Sequence, residues 1–323
     1  MIKRYIIAAA AVLLLTGCGD SSGDSSAAGS SVSSSAVTTV TDSTAVPEIT
    51  VDISADTARV SYLGPEGTYT QEACGVFLEG KGSYVPYETV GDAVDALARG
   101  DSDLAVIPQE NTIGGAVTDY IDILISNTEV SVVGEIELPI NQNLLVLPGT
   151  GSSDIKKVYS HKQGIAQGKE WLEANLPNAE VIEVSSTAEG AKMVSEGGDK
   201  SCAAIASAAC ADVYGLDVFA AAIQNNSSNK TRFYVLSKQQ PATAKAARTA
   251  FIAQGSAGEL PKLMSLINES GAALVAVHDR PLKTELGEYS YVIECSELSY
   301  EQYLKLTEST GFKMRFLGCF DVR

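Results

Sequence analysis

Apolar positions from Arg59 onward fall into short runs separated by stretches with helical spacing. Val60-Ser61-Tyr62-Leu63 predicts a strand ended by Gly64-Pro65, with a helix from Thr70 to about Leu78. Ala93 to Leu97 belongs to a second helix, and Leu104 to Ile107 to a buried strand stopped by Pro108. Strand, helix and strand recur over Val158-Tyr159, Gln163 to Ala174 and Val181 to Val184. This alternation predicts an α/β fold with mainly parallel strands.

The last segment has another rhythm. Strands are expected at Thr249 to Ala253, Leu274 to Val277, Tyr289 to Glu294 and Lys313 to Phe320, and helices at Gly258 to Asn268 and Tyr300 to Glu308. The order βαββαβ fits a ferredoxin-like unit. Lys238 to Ala247, containing Pro241, reads as a linker between the two parts.

The first residues read as an address. Lys3 and Arg4 precede the short apolar run Ile6 to Leu15, which suits a signal peptide better than a membrane span. Leu15-Thr16-Gly17-Cys18 resembles a bacterial lipobox, with Cys18 lipidated and exposed as the new N-terminus; an ordinary secretory signal with an incidental Cys is the alternative. From Gly19 to about Thr57 the chain is dominated by Ser, Ala, Thr, Asp and Val without a sustained apolar period, the composition of a flexible tether.

Charge narrows the partners. The 323 residues carry a net charge of −17, which argues against general nucleic-acid binding but leaves room for an anionic substrate held by local cations and helix N-termini. Cysteine other than Cys18 occurs at five positions without a CxxC pair, and the two histidines, His161 and His278, are not at ligand spacing from them. No metal site is expected. Pairing of Cys202 with Cys210 stays open.

Polar clusters follow the apolar strands, where ligands sit in open α/β sheets. Gly64-Pro65-Glu66-Gly67-Thr68-Tyr69-Thr70 joins a strand to a helix and can cradle an anion; alone it reads better as a capped turn. Pro108 to Gly115, with Asn111, is a second such cluster. Ser160-His161-Lys162-Gln163 and Ser185-Ser186-Thr187-Ala188 are two more, each also readable as a helix cap. The Ser160-His161 pair lacks a nucleophile elbow, so covalent serine catalysis is discounted. In Asn229-Lys230-Thr231-Arg232-Phe233, Arg232 can grip a carboxylate and Thr231 can hydrogen-bond a leaving oxygen.

Together, GPEGTYT at 64–70, PQENTIGG at 108–115, SHKQ at 160–163, SSTA at 185–188, AAIAS at 203–207 and NKTRF at 229–233 resemble the prephenate dehydratase family in order and spacing. The unit after Arg248 resembles the ACT domain that usually follows, with Gly258-Glu259-Leu260-Pro261 and His278-Asp279-Arg280-Pro281 at its two motif positions. The resemblance implies a two-lobed, type II periplasmic-binding-protein-like catalytic domain over 58–238 and a ferredoxin-like ACT regulatory domain over 248–323, after a signal peptide at 1–17 and a lipidated linker at 18–57. It implies conversion of prephenate to phenylpyruvate, water and CO2 without a cofactor or metal. Thr231 would contact the leaving hydroxyl. Thr68, Asn111, Gln163, Ser186, Thr187 and Arg232 would hold the substrate. Phenylalanine would bind through Gly258, Glu259, Leu260, His278, Asp279, Arg280 and Pro281 at the interface of a homodimer or homotetramer. The chain would be anchored outside the cell membrane. A lipid-anchored receptor that keeps the cleft but not the turnover is the competing reading.

Overall fold

A computed structural model describes residues 52–243 and 246–323. The expected signal peptide, Cys18 and most of the tether lie outside the described residues. Residues 52–57, expected at the end of the tether, are folded onto the first lobe: the Asp52 backbone N–H donates to Gln239 Oε1 at 2.9 Å, and Ile53 packs on the apolar cluster around Val60 and Tyr62.

Lobe 1 is built from β1 (Arg59–Leu63), α1 (Tyr69–Phe77), β2 (Ser83–Tyr87), α2 (Val90–Arg99), β3 (Leu104–Asn111), β4 (Gly115–Ala116), α3 (Thr118–Ser126) and β5 (Ser131–Pro139). Lobe 2 contains β6 (Asn143–Val146), β7 (Lys157–Ser160), α4 (Lys162–Asn175), β8 (Glu180–Glu183), α5 (Thr187–Gly197), β9 (Cys202–Ala206), α6 (Ala209–Tyr214) and β10 (Asp217–Ala220). The chain then returns to lobe 1 as β11 (Lys230–Ser237). The C-terminal unit consists of β12 (Arg248–Ser256), α7 (Leu260–Glu269), β13 (Ala273–Pro281), β14 (Glu288–Ser296), α8 (Tyr300–Ser309) and β15 (Lys313–Phe320).

The lobe 1 sheet runs β2-β1-β3-β11-β5, and the lobe 2 sheet β10-β6-β9-β7-β8. Each is mixed: β1 is parallel to β2 and β3, whereas β11 is antiparallel to β3 and β5. Likewise β7 is parallel to β8 and β9, while β6 is antiparallel to β9 and β10. The expectation of mainly parallel strands therefore holds only for the strand–helix–strand halves. The returning strands are antiparallel because the chain crosses between lobes twice. The two crossings lie side by side: Ile140 N–H donates to Asn229 O, and Ile223 N–H to Gln142 O, each at 2.8 Å.

Pro108 does not stop β3, as its sequence suggested. The strand continues to Asn111, because the β3–β11 register shifts between Arg232 and Phe233, opposite Pro108 and Gln109. A bulge tolerates the missing Pro N–H.

The C-terminal sheet runs β13-β14-β12-β15, all antiparallel, with α7 and α8 packed on one face. This is the ferredoxin-like order. Its other face closes on lobe 1: Ala250, Ile252, Val292 and Leu317 join Ala105, Tyr120, Leu124, Val132 and Tyr234 in one apolar cluster. The tail continues the lobe 1 sheet, with Glu135 N–H donating to Asp321 O at 3.1 Å and Arg323 N–H to Glu135 O at 2.9 Å. The segment read as a linker is tied down where described: Ala242 is buried in the C-terminal core, and Pro241 O accepts from Cys319 N–H. Among the described residues, no helix is long and apolar enough to cross a membrane.

Candidate active site

The carboxyl end of β3 and the amino end of β11 place Asn111 and Thr231 directly opposite each other as Cα partners. Asn111 Nδ2 donates to Thr231 Oγ1 at 2.9 Å, to Asn229 Oδ1 at 2.9 Å and to the Lys230 carbonyl at 3.1 Å. Its Oδ1 accepts from the backbone N–H groups of Ile113 and Gly114 at 3.0 and 2.8 Å. Asn111 was expected to touch substrate; its amide is instead committed to the loop and to Thr231. Because the Thr231 oxygen accepts from Asn111, its own proton is left to donate elsewhere. The arrangement prepares a hydroxyl as a hydrogen-bond donor at the end of a strand.

Lobe 2 brings helix N-termini to the same side. His161 Nδ1 caps α4 by accepting from Gln163 N–H, and Ser186 Oγ caps α5 by accepting from Glu189 N–H at 3.0 Å. Burial lowers the His161 pKa, with Lys162 adding to the effect, so the ring stays neutral and can accept. Ser160 Oγ donates to Ile205 O at 2.7 Å, so Ser160 and His161 form no nucleophile–base pair. Gln163 reaches across to lobe 1: a Cβ on Gly114 would sit 2.8 Å from its Nε2. Thr187 lines the start of α5, next to Gly164 and Ser160. The first N–H groups of α4 and α5 carry partial positive charge that suits a carboxylate.

The Gly64–Thr70 turn closes the other side. Gly67, at φ 83°, has no room for a side chain, since a Cβ would lie 2.8 Å from Cys210 Sγ. That close approach lets Ser207 Oγ and Cys210 Sγ donate to Gly67 O at 2.8 and 3.1 Å, and Tyr214 OH to Glu66 O at 2.8 Å. Burial pushes the Cys210 thiol up to about 11, so it stays protonated. All five described cysteines are free and buried, which answers the open question about Cys202 and Cys210. Thr68 begins α1 without capping it; its hydroxyl makes one 3.3 Å bond to Leu63 O. Among the described residues, no group of three His, Cys, Asp or Glu side chains is placed to hold a metal.

Arg232 was expected to hold substrate, and the structure places it among carboxylates of the protein itself. Successive side chains on a strand face opposite sides, so Arg232 points away from Thr231 and toward the C-terminal unit. Its Nε and Nη2 fork onto Glu135 at 2.7 Å each, Nη2 also meets Glu294 Oε1 at 2.5 Å, and Nη1 meets Glu110 at 3.2 Å. Four of its five N–H donors are thus engaged by carboxylates of the protein itself. Glu135 and Glu294 are both buried, and Glu294 also accepts from Tyr234 OH at 2.6 Å and Gln109 Nε2 at 3.1 Å, with Arg248 Nε 3.1 Å away. Burial raises the Glu135 pKa despite the adjacent guanidinium. Burial alone would lower the Arg232 pKa; the Glu135 hydrogen bonds and the Glu294 charge outweigh it. Sequence reasoning missed Glu135 and Glu294. The available signal was a glutamate flanked by apolar residues in each strand, Gly134-Glu135-Ile136 and Ile293-Glu294-Cys295.

The two C-terminal motifs divide. Gly258 and Glu259 are exposed in the turn before α7, and Leu260 is half-buried at its start. His278 and Arg280, on β13, dock on α3 instead of pointing to an open pocket. The His278 ring packs edge-on to Tyr120 at 5.9 Å, and Arg280 forks onto Asp122 at 2.7 and 2.8 Å. Asp279 and Pro281, between and beyond them, are exposed. A cavity of about 380 Å³ lies at the far end of the lobe 1 sheet, beside Ser102, Ser237 and Gln239. Ser237 is six residues along β11 from Thr231, about 20 Å away, so this space is not the candidate site.

Known proteins share this design. The family model described as Prephenate dehydratase matches residues 60–241. The prephenate dehydratase of Bacillus subtilis is 31% identical over 280 residues, covering 81% of this chain and 98% of that protein. A bifunctional chorismate mutase/prephenate dehydratase of Neisseria gonorrhoeae is 36% identical over 237 residues, and this chain spans only 65% of its length. The crystal structure of Arthrobacter aurescens prephenate dehydratase in complex with L-Phe superposes with a TM-score of 0.73 at 27% identity, covering 81% of this chain and 90% of that one. The two lobes, the Thr231–Asn111 pair between them and these likenesses lead to one conclusion: the chain belongs to the prephenate dehydratase family.

Proposed function

We propose that the chain converts prephenate to phenylpyruvate, water and CO2, and that the Asn111–Thr231 hydrogen bond carries this reading. In the reaction the bond from the ring to its carboxylate breaks, and that electron pair enters the ring. The bond to the opposite hydroxyl then breaks, and the departing oxygen takes a proton to leave as water. Aromatisation supplies the driving force. What the protein must supply is orientation and a donor for the leaving oxygen. Thr231 has that donor free because Asn111 fills its oxygen. A threonine hydroxyl is a weak acid, so it stabilises or relays charge on the departing oxygen. Thr68, Gln163, Ser186 and Thr187, with the N-termini of α4 and α5, hold the two carboxylates. Incubating the chain with prephenate tests this: phenylpyruvate must appear, and binding without turnover defeats it in favour of a receptor.

The C-terminal unit is read as an ACT domain that takes phenylalanine across the interface of a homodimer or homotetramer. Gly258, Glu259 and Leu260 serve as its exposed loop, with His278, Asp279, Arg280 and Pro281 opposite. The support is the ferredoxin-like strand order and the exposed Leu274 on the edge strand β13. Arg280 is held by Asp122, so its part is docking rather than ligand contact. Calorimetry with the common amino acids tests the site; no binding to an assembled protein rejects it. The chain is placed outside the cell, tethered through lipid on Cys18, on the strength of the Leu-Thr-Gly-Cys box after a short apolar run. Mass spectrometry of the mature N-terminus decides this, and an unmodified Cys18 rejects it.

A further inference from the structure

Two cross-strand pairs stand back to back where β3 meets β11. Asn111 and Thr231 are partners on the face toward lobe 2, and Glu110 and Arg232, one residue along each strand, are partners on the opposite face. The first pair is joined by the Asn111–Thr231 bond at 2.9 Å, the second by an ion pair at 3.2 Å. The second pair does not end in solvent. Arg232 continues into Glu294, which belongs to β14 of the C-terminal unit and is 1% exposed. Glu294 in turn grips both strands, accepting from Gln109 on β3 and from Tyr234 on β11.

We propose that Arg232 and Glu294 are positioning residues for catalysis: the buried Glu294 carboxylate holds the β3–β11 pair in register and so aims the Thr231 hydroxyl at the substrate. The inference rests on the dehydratase reading. A strand is stiff across one residue, so moving the Arg232 backbone moves Thr231. Misplacing a catalytic group by about 1 Å costs on the order of a hundredfold in rate. The C-terminal unit thereby contributes a residue to the working state of the site without touching substrate. Any change in how β14 sits on lobe 1 reaches Thr231 through two side chains.

The test uses the full chain and three variants: Glu294→Gln, Thr231→Ala and their combination. Native turnover is measured first, and its absence defeats the dehydratase reading itself. With native turnover present, Glu294→Gln is expected to lower kcat about tenfold or more with KM unchanged within twofold. The double variant is expected to be no slower than Thr231→Ala alone, since Glu294 acts through Thr231. A Glu294→Gln protein with native kcat overturns the proposal, as do effects of the two substitutions that multiply. Tyr234→Phe removes only the hydroxyl that donates to Glu294, and keeps the question open to measurement if Glu294→Gln does not fold. It is expected to lower kcat about threefold at unchanged KM; native kcat in a folded Tyr234→Phe protein overturns the proposal.

Discussion

Thr231 and Arg232 are neighbours on β11, yet one accepts a hydrogen bond from Asn111 at 2.9 Å and the other forks onto the buried Glu135 at 2.7 Å on the opposite face. Strand alternation separates a reacting group from a structural charge within a single peptide unit. The two residues therefore fail differently when replaced.

Thr231→Ala should leave folding intact and lower kcat about a hundredfold or more, the loss expected for one preorganised donor. KM should change little, because a bond to the leaving oxygen strengthens only in the transition state. Steady-state kinetics with prephenate check this, and an alanine variant with native kcat would sink the assignment.

Arg232→Ala should act on stability as well as on kcat. It leaves Glu135 and Glu294 buried without their shared cation, and breaking a buried pair in this way costs about 3–5 kcal/mol. Denaturant unfolding should show the midpoint falling accordingly. A variant as stable as the native chain, but with a raised KM, would restore the reading of Arg232 as a carboxylate clamp.

Asn111→Ala should do both. Removing the amide frees the N–H groups of Ile113 and Gly114 and costs about 1–2 kcal/mol. It also lets the Thr231 hydroxyl turn, so kcat should drop by about tenfold to a hundredfold. Crystallography of the variant should find a second Thr231 rotamer; a single native rotamer with native kcat would count against the orienting role.

His278 gives a pH dependence with a defined sign. Burial lowers its pKa below the ordinary 6.5; Glu110, Glu294 and Asp279 favour the charged ring and Arg232 opposes it, but burial prevails. Below pH 6.5 the unfolded chain binds a proton here that the folded chain refuses, so stability is lost as pH falls from 6.5 through the lowered value. His278→Gln removes this contribution. Native protein should lose more unfolding free energy than the variant between pH 7.5 and 5.5, and equal losses would refute the claim.

Most elements of the described chain were legible because their apolar runs are local. Lys313 to Phe320 was expected as a strand and is β15, and the helix expected from Gln163 lies within α4. Pro108 was misread because a bulge depends on the partner strand, which lies more than a hundred residues away. Glu294 looked like the polar end of a strand; it is buried because β14 is central in its sheet and pressed against lobe 1. Thr231 was singled out by its motif, and the structure pairs it with Asn111. The carboxylate partners of Arg232 were not legible, because motif position says nothing about which face a side chain takes.

The paired crossings at Ile140–Asn229 and Gln142–Ile223 make lobe 2 a guest threaded through a host. Both ends of the guest leave from the same spot, where Gln224 Nε2 donates to Asn141 Oδ1 at 2.8 Å. A short graft joining Asn141 to Gln224 would delete the guest without asking the host to move, and β11 would still reach its place between β3 and β5. Such a chimera is a natural acceptor for foreign lobes, whose own helix N-termini would then face Thr231 and decide which anion it meets.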